Sequence, residues 1–214
     1  MQEIAMQAEA QTARQLVSFL ALAERLKREL RHSWLSDGRQ ESVAEHTWFI
    51  ALMALLSHGH LRTEVSLERV LAMAVVHDLA EAKVGDVPYF ETGHRKRDKA
   101  KREQEAMEEI AALLPSQDGK HIRALWLEFE AGETPEAKFV RALDHLEVQA
   151  QHNLAALSSW EPIEYDLVYT KMDERCAHEP ILQALLNVIR DDAERKMAAG
   201  GVDVEDVKRR AAKV

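Results

Sequence analysis

His46, His77, Asp78, Glu81, Asp86 and Asp144 are the residues whose types and spacing could do chemistry in this chain. His77 and Asp78 are neighbours, and Glu81 follows one helical turn later in the stretch AVVHDLAEAKVGDVP. With Leu67 as origin and steps of about 100° per residue, Val70, Leu71 and Ala74 form one stripe. Asp78 and Glu81 continue that stripe, with His77 at its edge, while LAMAVV is apolar all round, as in a buried helix. His46 opens a second helix on the face continued by Ile50 and Met53, and Asp144 lies on the stripe of Ala137, Val140 and Val148. Burying such groups is costly unless each finds a partner. One divalent cation held by two imidazoles and two carboxylates would satisfy His46, His77, Asp78 and Asp144 together. Mixed nitrogen and oxygen ligation suits Mn, Co, Fe, Ni or Zn better than Ca or Mg, without selecting among them. On spacing alone, hydrogen-bonded core histidines and salt bridges between helices are equally open readings.

These residues must be positioned by helices. Eight Gly and five Pro are too few for an all-β chain, and Ala, Leu, Glu, Arg and Lys dominate, so the chain reads as all-α. Residues 1–12 read as a frayed start, followed by a helix over 13–30 and a loop, RHSWLSDGRQ. Ser42 to Glu45 forms a capping box opening the His46 helix, which ends near Gly59. Ser66 caps the next helix, expected to run unbroken to Gly85. A charged helix over 96–114, a short one at HIRALWLEFEAG, and one opened by Thr134 and Pro135 follow. Two more are expected around 164–176 and 181–197, with 199–214 a tail. No repeat or linker divides the chain, so 13–198 reads as one domain.

An apolar fraction of 46% with 30% charge is ordinary globular composition, and a formal charge of −9 argues against a nucleic-acid partner. Cys176 is the only cysteine, which excludes an internal disulfide and fits a cytoplasmic location. LVSFLALA is too short to span a bilayer, so no membrane association is expected.

The ordered set His46, His77-Asp78 and Asp144 resembles the HD superfamily of metal-dependent phosphohydrolases. LKRELRHSW, ESVAEH, HDLAEAKVGDVP and EAKFVRALDHLE are similar to its 5′-deoxynucleotidase branch, over about residues 15–195. The resemblance implies a single-domain orthogonal helical bundle of the HD-domain type, one metal, hydrolysis of (deoxy)nucleoside 5′-monophosphates, and a homodimer. It implies that His46, His77, Asp78 and Asp144 are the metal ligands, that Glu81 and Asp86 are catalytic, and that Arg31 orients the phosphate. It also places Asp86, Val87 and Pro88 beside sugar and phosphate. Those roles make chemical sense: a metal acidifies water and neutralises phosphate charge, Glu81 can take the water's proton, and Arg31 offers a planar fork. One departure stands out. The best-matched deoxynucleotidases carry Trp directly after this arginine, against the sugar 2′ position; here His32 stands there, and because other relatives have an R-x-x-W arrangement, Trp34 two positions on is expected to fill that space.

Two alternatives stay in view: a pyrophosphohydrolase or cyclic-nucleotide phosphodiesterase on the same metal site, and a nucleotide-binding module without turnover. HRKRDKAKR, at 94–102, reads as a solvated charged face, with a funnel for anionic substrate as the alternative. Trp126, Phe129 and Trp160 read as core. Among the remaining histidines only His145, beside Asp144, is singled out.

Overall fold

A computed structural model describes residues 1–88, 90–170 and 172–213, the side chains of Gln2, His94 and Arg95 excepted. Twelve α-helices are described: α1 Gln2–Ala23, α2 Val43–Ser57, α3 Leu67–Val76, α4 Glu81–Val84, α5 His94–Arg97, α6 Lys99–Ala111, α7 Ser116–Ala131, α8 Pro135–Leu154, α9 Pro162–Leu167, α10 Met172–Cys176, α11 Pro180–Ala199 and α12 Val204–Ala211. A single antiparallel hairpin, β1 Leu30–Trp34 and β2 Gln40–Ser42, is the β-structure among the described residues. The fold is the expected all-α bundle with this hairpin added.

Helices α2, α3, α8 and α11 surround the main core. Val43, His46, Ile50, Ala54 and Ser57 are the buried positions of α2, spaced three and four apart. That spacing sets one stripe of the helix against its neighbours. On α8 the stripe of Ala137, Val140, Asp144, Glu147 and Gln151 has the same spacing and faces α2 and α3. Ile50, Met73, Phe139, Leu143 and Leu146 pack where these helices meet. A second cluster joins Leu79, Met107, Ile110 and Trp126, and a third joins Trp160, Val168 and Met197. Trp126, Phe129 and Trp160 are thus core residues, as expected.

Local signals set the helix starts. The Ser42 hydroxyl accepts from the Glu45 N–H at 3.3 Å, and the Glu45 carboxylate accepts from the Ser42 N–H at 2.8 Å, closing the capping box. The Ser66 and Thr134 hydroxyls cap α3 and α8 by accepting from the Arg69 and Ala137 N–H groups, without the reciprocal bond, and Pro135 lies in the first turn of α8.

Several boundaries differ from expectation. Residues 2–12 are the first turns of α1 rather than a frayed start. Residues 204–211, expected as a tail, form α12, which packs on α9 with an Arg210–Asp166 ion pair and buries Val207. Gly59 lies within a short 3₁₀ turn, and α2 ends at Ser57 with His58, not Gly59, as its C-cap. The loop after α1 is the hairpin, turned at Gly38 with φ of 85° and pinned to α8 by the Gln151 amide donating to the Trp34 carbonyl at 2.7 Å.

The expected helix through Gly85 breaks after Val76. From there to α4 the backbone bonds run three residues back: Leu79 N–H to Val76 O, Glu81 N–H to Asp78 O and Ala82 N–H to Leu79 O. At three residues per turn, side chains at i and i+3 eclipse, so Asp78 and Glu81 come onto one face. Gly85, at φ of 77°, then turns the backbone out of α4 in a conformation that favours glycine.

Candidate active site

Several elements converge on one cavity of about 260 Å³. β1 brings Arg31, His32 and Ser33; the tightened turn and α4 bring Asp78 and Glu81; the segment after Gly85 brings Asp86, Val87 and Pro88; α8 brings Asp144, His145 and His152. His46, on α2, lies fully buried behind them.

His46, His77 and Asp144 each present a ligand atom within 4.8 Å of the others. His46 Nε2 lies 3.1 Å from Asp144 Oδ1 and 3.7 Å from Asp78 Oδ2, and His77 Nε2 lies 3.2 Å from Asp78 Oδ2. The four sequence-derived residues therefore meet, although they come from three helical segments.

The tautomers follow from the other ring nitrogens. His77 Nδ1 donates to the Ala74 carbonyl at 2.8 Å, and His46 Nδ1 lies 2.5 Å from Glu147 Oε2, an acceptor. Each neutral imidazole therefore turns the lone pair of Nε2 toward carboxylate oxygens, which are also acceptors. His77 Nε2 is buried without a hydrogen-bond partner. Acceptors facing acceptors require either extra protons or a cation between them. This donor set, two imidazole nitrogens and two carboxylates with outer groups fixing the rings, fits a divalent cation.

The protonation tendencies express the same crowding. Burial and Arg31 would lower the pKa of His46, but Glu147 and Asp144 outweigh them and hold it at about 10. Burial opposes His77 too, yet Asp78 raises it. Asp78 and Asp144, despite burial, are held below the usual carboxylate range, Asp78 by His77, His46 and Arg31 and Asp144 mainly by His46. Glu81 is pushed well above that range by burial and by Asp78 and Asp86. Asp86 is raised by burial and Asp78, against the pull of Arg31.

Arg31 is largely buried, its Nη1 3.5 Å from Asp78 Oδ2 and its Nε 3.4 Å from Glu41 Oε2. Burial would lower its pKa, but Asp78 and Asp86 outweigh that, so it stays a fixed cation beside the ligand cluster. The Asp86 N–H donates to Glu29 Oε1 at 3.0 Å, anchoring the segment that follows Gly85.

Some residues at the site escaped the sequence reading. Glu147, fully buried, sits one turn beyond Asp144 on the same stripe, a signal that could have found it. Glu41, on β2, carries no periodic signal; burial and the nearby Glu147 push its pKa up to about 8. Lys96 and Lys99 line the cavity, where a solvated charged face was expected; Lys99 Nζ lies 3.9 Å from Glu81 Oε1. In that same stretch, the His94 and Arg95 side chains lie outside the described residues. His32 and Ser33 are among the residues that line the cavity, and Trp34 is not among them. His145 lines the cavity, its Nδ1 3.8 Å from Asp144 Oδ2. Cys176 is buried, and burial together with Asp173 pushes its thiol up to about 12, which keeps it unreactive.

The HD domain family profile matches residues 23–194. The 5'-deoxynucleotidase HDDC2 of Danio rerio is 33% identical over 89% of this chain and 94% of that protein. Its human counterpart of the same name is 37% identical over 72% of each chain. Among solved structures, a "Predicted metal-dependent phosphohydrolase from Magnetospirillum magnetotacticum MS-1" superposes with a TM-score of 0.75 and 31% identity, over 86% of this chain and 94% of that one. With the profile spanning most of the chain and the histidine–aspartate cluster at its centre, the protein belongs to the HD-domain family.

Proposed function

We propose that this chain hydrolyses (deoxy)nucleoside 5′-monophosphates to nucleoside and phosphate, with one divalent transition metal held by His46, His77, Asp78 and Asp144. The observation that carries this reading is the meeting of two imidazole Nε2 lone pairs and two carboxylates beside a buried guanidinium, in a cavity of about 260 Å³. The names of the relatives from Danio rerio and human support the substrate class. Mn, Co, Fe, Ni and Zn all suit the donor set.

When bound, the ion supplies positive charge for phosphate oxygens and acidifies water. The chain's own groups do the rest. Arg31 holds the phosphate through its planar fork and is never deprotonated. Glu81, whose buried carboxyl has a raised pKa, accepts a proton from the attacking water as oxygen closes on phosphorus. Asp86, also raised, hands a proton to the departing 5′-oxygen as the P–O bond breaks. Val87 and Pro88 form an uncharged wall beside the leaving group. Lys96 and Lys99 add positive potential at the same cavity, which favours an anionic substrate.

The test is phosphate release from a panel of nucleotides by metal-stripped protein reloaded with Mn²⁺ or Co²⁺. Orthophosphate from monophosphates supports the proposal; no release by folded, metal-loaded protein rejects it. Glu81→Ala separates enzyme from binding module: nucleotide affinity kept and turnover lost identifies an enzyme. We include in the proposal a homodimer in the cytoplasm. The exposed Leu16, Val17 and Leu20 on α1 support a partner surface, and light scattering checks it. No helix among the described residues is long and apolar enough to cross a membrane.

A further inference from the structure

Glu41 is a buried acid that the proposed hydrolysis does not use, 1% exposed on the short strand β2. Its Oε2 lies 3.4 Å from Arg31 Nε, and both atoms are buried without a hydrogen-bond partner, so each is left with the other. The hairpin brings them together. Leu30 pairs with Ser42, and Arg31 and Glu41 are the next residues inward on the two strands, where side chains across a ladder meet. The register then shifts before Trp34, an irregularity of the kind that re-aims side chains beside active sites. On its other side Glu41 meets Glu147 in a hydrogen bond, which requires one proton between the two acids. Glu147 in turn lies 2.5 Å from His46 Nδ1. One line of contacts thus runs from the phosphate-binding guanidinium to a metal-ligand imidazole.

A buried acid adds little to stability by itself, since apolar groups of similar volume often serve as well or better. What Arg31 must do gives a reason to keep one here. The Arg31 Nη1 lies 3.5 Å from Asp78 Oδ2, an oxygen of a proposed metal ligand. A guanidinium tied only there is free to turn onto the ligand set instead of facing the phosphate. Held at Nε as well, the planar group keeps one orientation, and recognition by a fork depends on orientation. Asp78 and Asp86 already secure its positive charge, so what Glu41 adds is direction.

We infer that Glu41 is a positioning residue: it holds the Nε edge of Arg31 so that the Nη groups meet the substrate phosphate, and the hairpin is the element that sets this pair. The inference rests on the nucleotidase reading above and adds to it the group that aims Arg31. Length and an acceptor atom at position 41 are what the role needs, and a negative charge is not. One hydrogen bond to a charged group corresponds to about ten- to a hundredfold in affinity.

The experiment is calorimetric titration of metal-saturated protein with inorganic phosphate, with kcat and KM on nucleoside 5′-monophosphates beside it. The proteins are wild type, Glu41→Gln, Glu41→Asp, Glu41→Leu, Arg31→Met and the Arg31→Met/Glu41→Leu double variant. Glu41→Leu should weaken phosphate binding and raise KM by about ten- to a hundredfold. Glu41→Asp keeps the charge but is one methylene short of Arg31 Nε, and should fall with it. Glu41→Gln keeps length and acceptor, and should bind phosphate within about threefold of wild type, well inside the loss of one such bond. With Arg31→Met already in place, Glu41→Leu should have no further effect, because the two side chains act as one unit. Should Glu41→Leu fail to fold, Glu41→Gln and Glu41→Asp decide alone. Wild-type phosphate affinity in Glu41→Asp and Glu41→Leu, or an equal loss with and without Arg31, overturns the inference. No phosphate released from any nucleotide rejects the nucleotidase reading instead, since the titration reads the Arg31–Glu41 pair without turnover.

Discussion

Removing the Glu147 carboxylate tests whether the outer groups set the ligand geometry. Glu147 and His46 are both fully buried, 2.5 Å apart, so their contact is a charge-assisted hydrogen bond screened by little water. Such a bond is worth about 1.5–3 kcal/mol. It fixes the proton on His46 Nδ1 and leaves Nε2 free to bind a cation. Without an acceptor at 147 the proton can move to Nε2, the atom proposed as ligand. At about 1.4 kcal/mol per tenfold, Glu147→Leu should weaken metal binding about ten- to a hundredfold. Glu147→Gln keeps an acceptor but loses the charge, and should fall between wild type and the leucine variant. The metal-free protein should suffer as well. There His46 is held protonated by Glu147 and Asp144, and breaking a buried pair costs about 3–5 kcal/mol. The assay is calorimetric titration of metal-stripped protein with Mn²⁺ or Co²⁺, with thermal melts of the metal-free forms beside it. Affinities within about threefold of wild type in both variants would refute the argument, since a group that fixes the tautomer cannot be dispensable.

Three further outcomes are expected. Phe139→Ala, in the centre of the main core at 1% exposure, should cost about 3–5 kcal/mol and lower Tm by about 6–20 °C in a calorimetric scan; an unchanged Tm would show that the helix carrying Asp144 is held some other way. Adding Mn²⁺ or Co²⁺ at a hundred times its Kd should stabilise the stripped protein by about 2.7 kcal/mol, and His77→Ala should abolish that shift without abolishing folding, read as Tm with and without metal. Burial raises the Glu164 pKa from 4.5 to about 7, so the folded protein binds this proton more tightly than the unfolded chain does. Its stabilising contribution, at most about 3 kcal/mol, is complete below about pH 4.5 and is lost as pH rises to about 7. The stability of wild type relative to Glu164→Gln should therefore fall between pH 5 and 7.5 in urea melts, and a constant difference would contradict it.

The sequence by itself determined which side chains face inward. A helical period is a local property, so the stripes through Asp78 and Glu81, through His46 and Ile50, and through Val140 and Asp144 were legible without coordinates. The caps at Ser42, Ser66 and Thr134 were legible for the same reason, since each acts within one turn. The hairpin was not, because strand pairing between Leu30 and Ser42 depends on the pair rather than on either segment. Tertiary structure alone decided which inward faces meet. Glu147 lies 101 residues from His46, and Ser33 lies 119 from His152, yet each pair is in contact. It also decided that the ligand helix tightens after Val76, and that Lys99 lines the cavity. Periodicity tells a residue that it is buried, but the partner it is buried against is chosen by how helices pack, and the chemistry here lies in those partners.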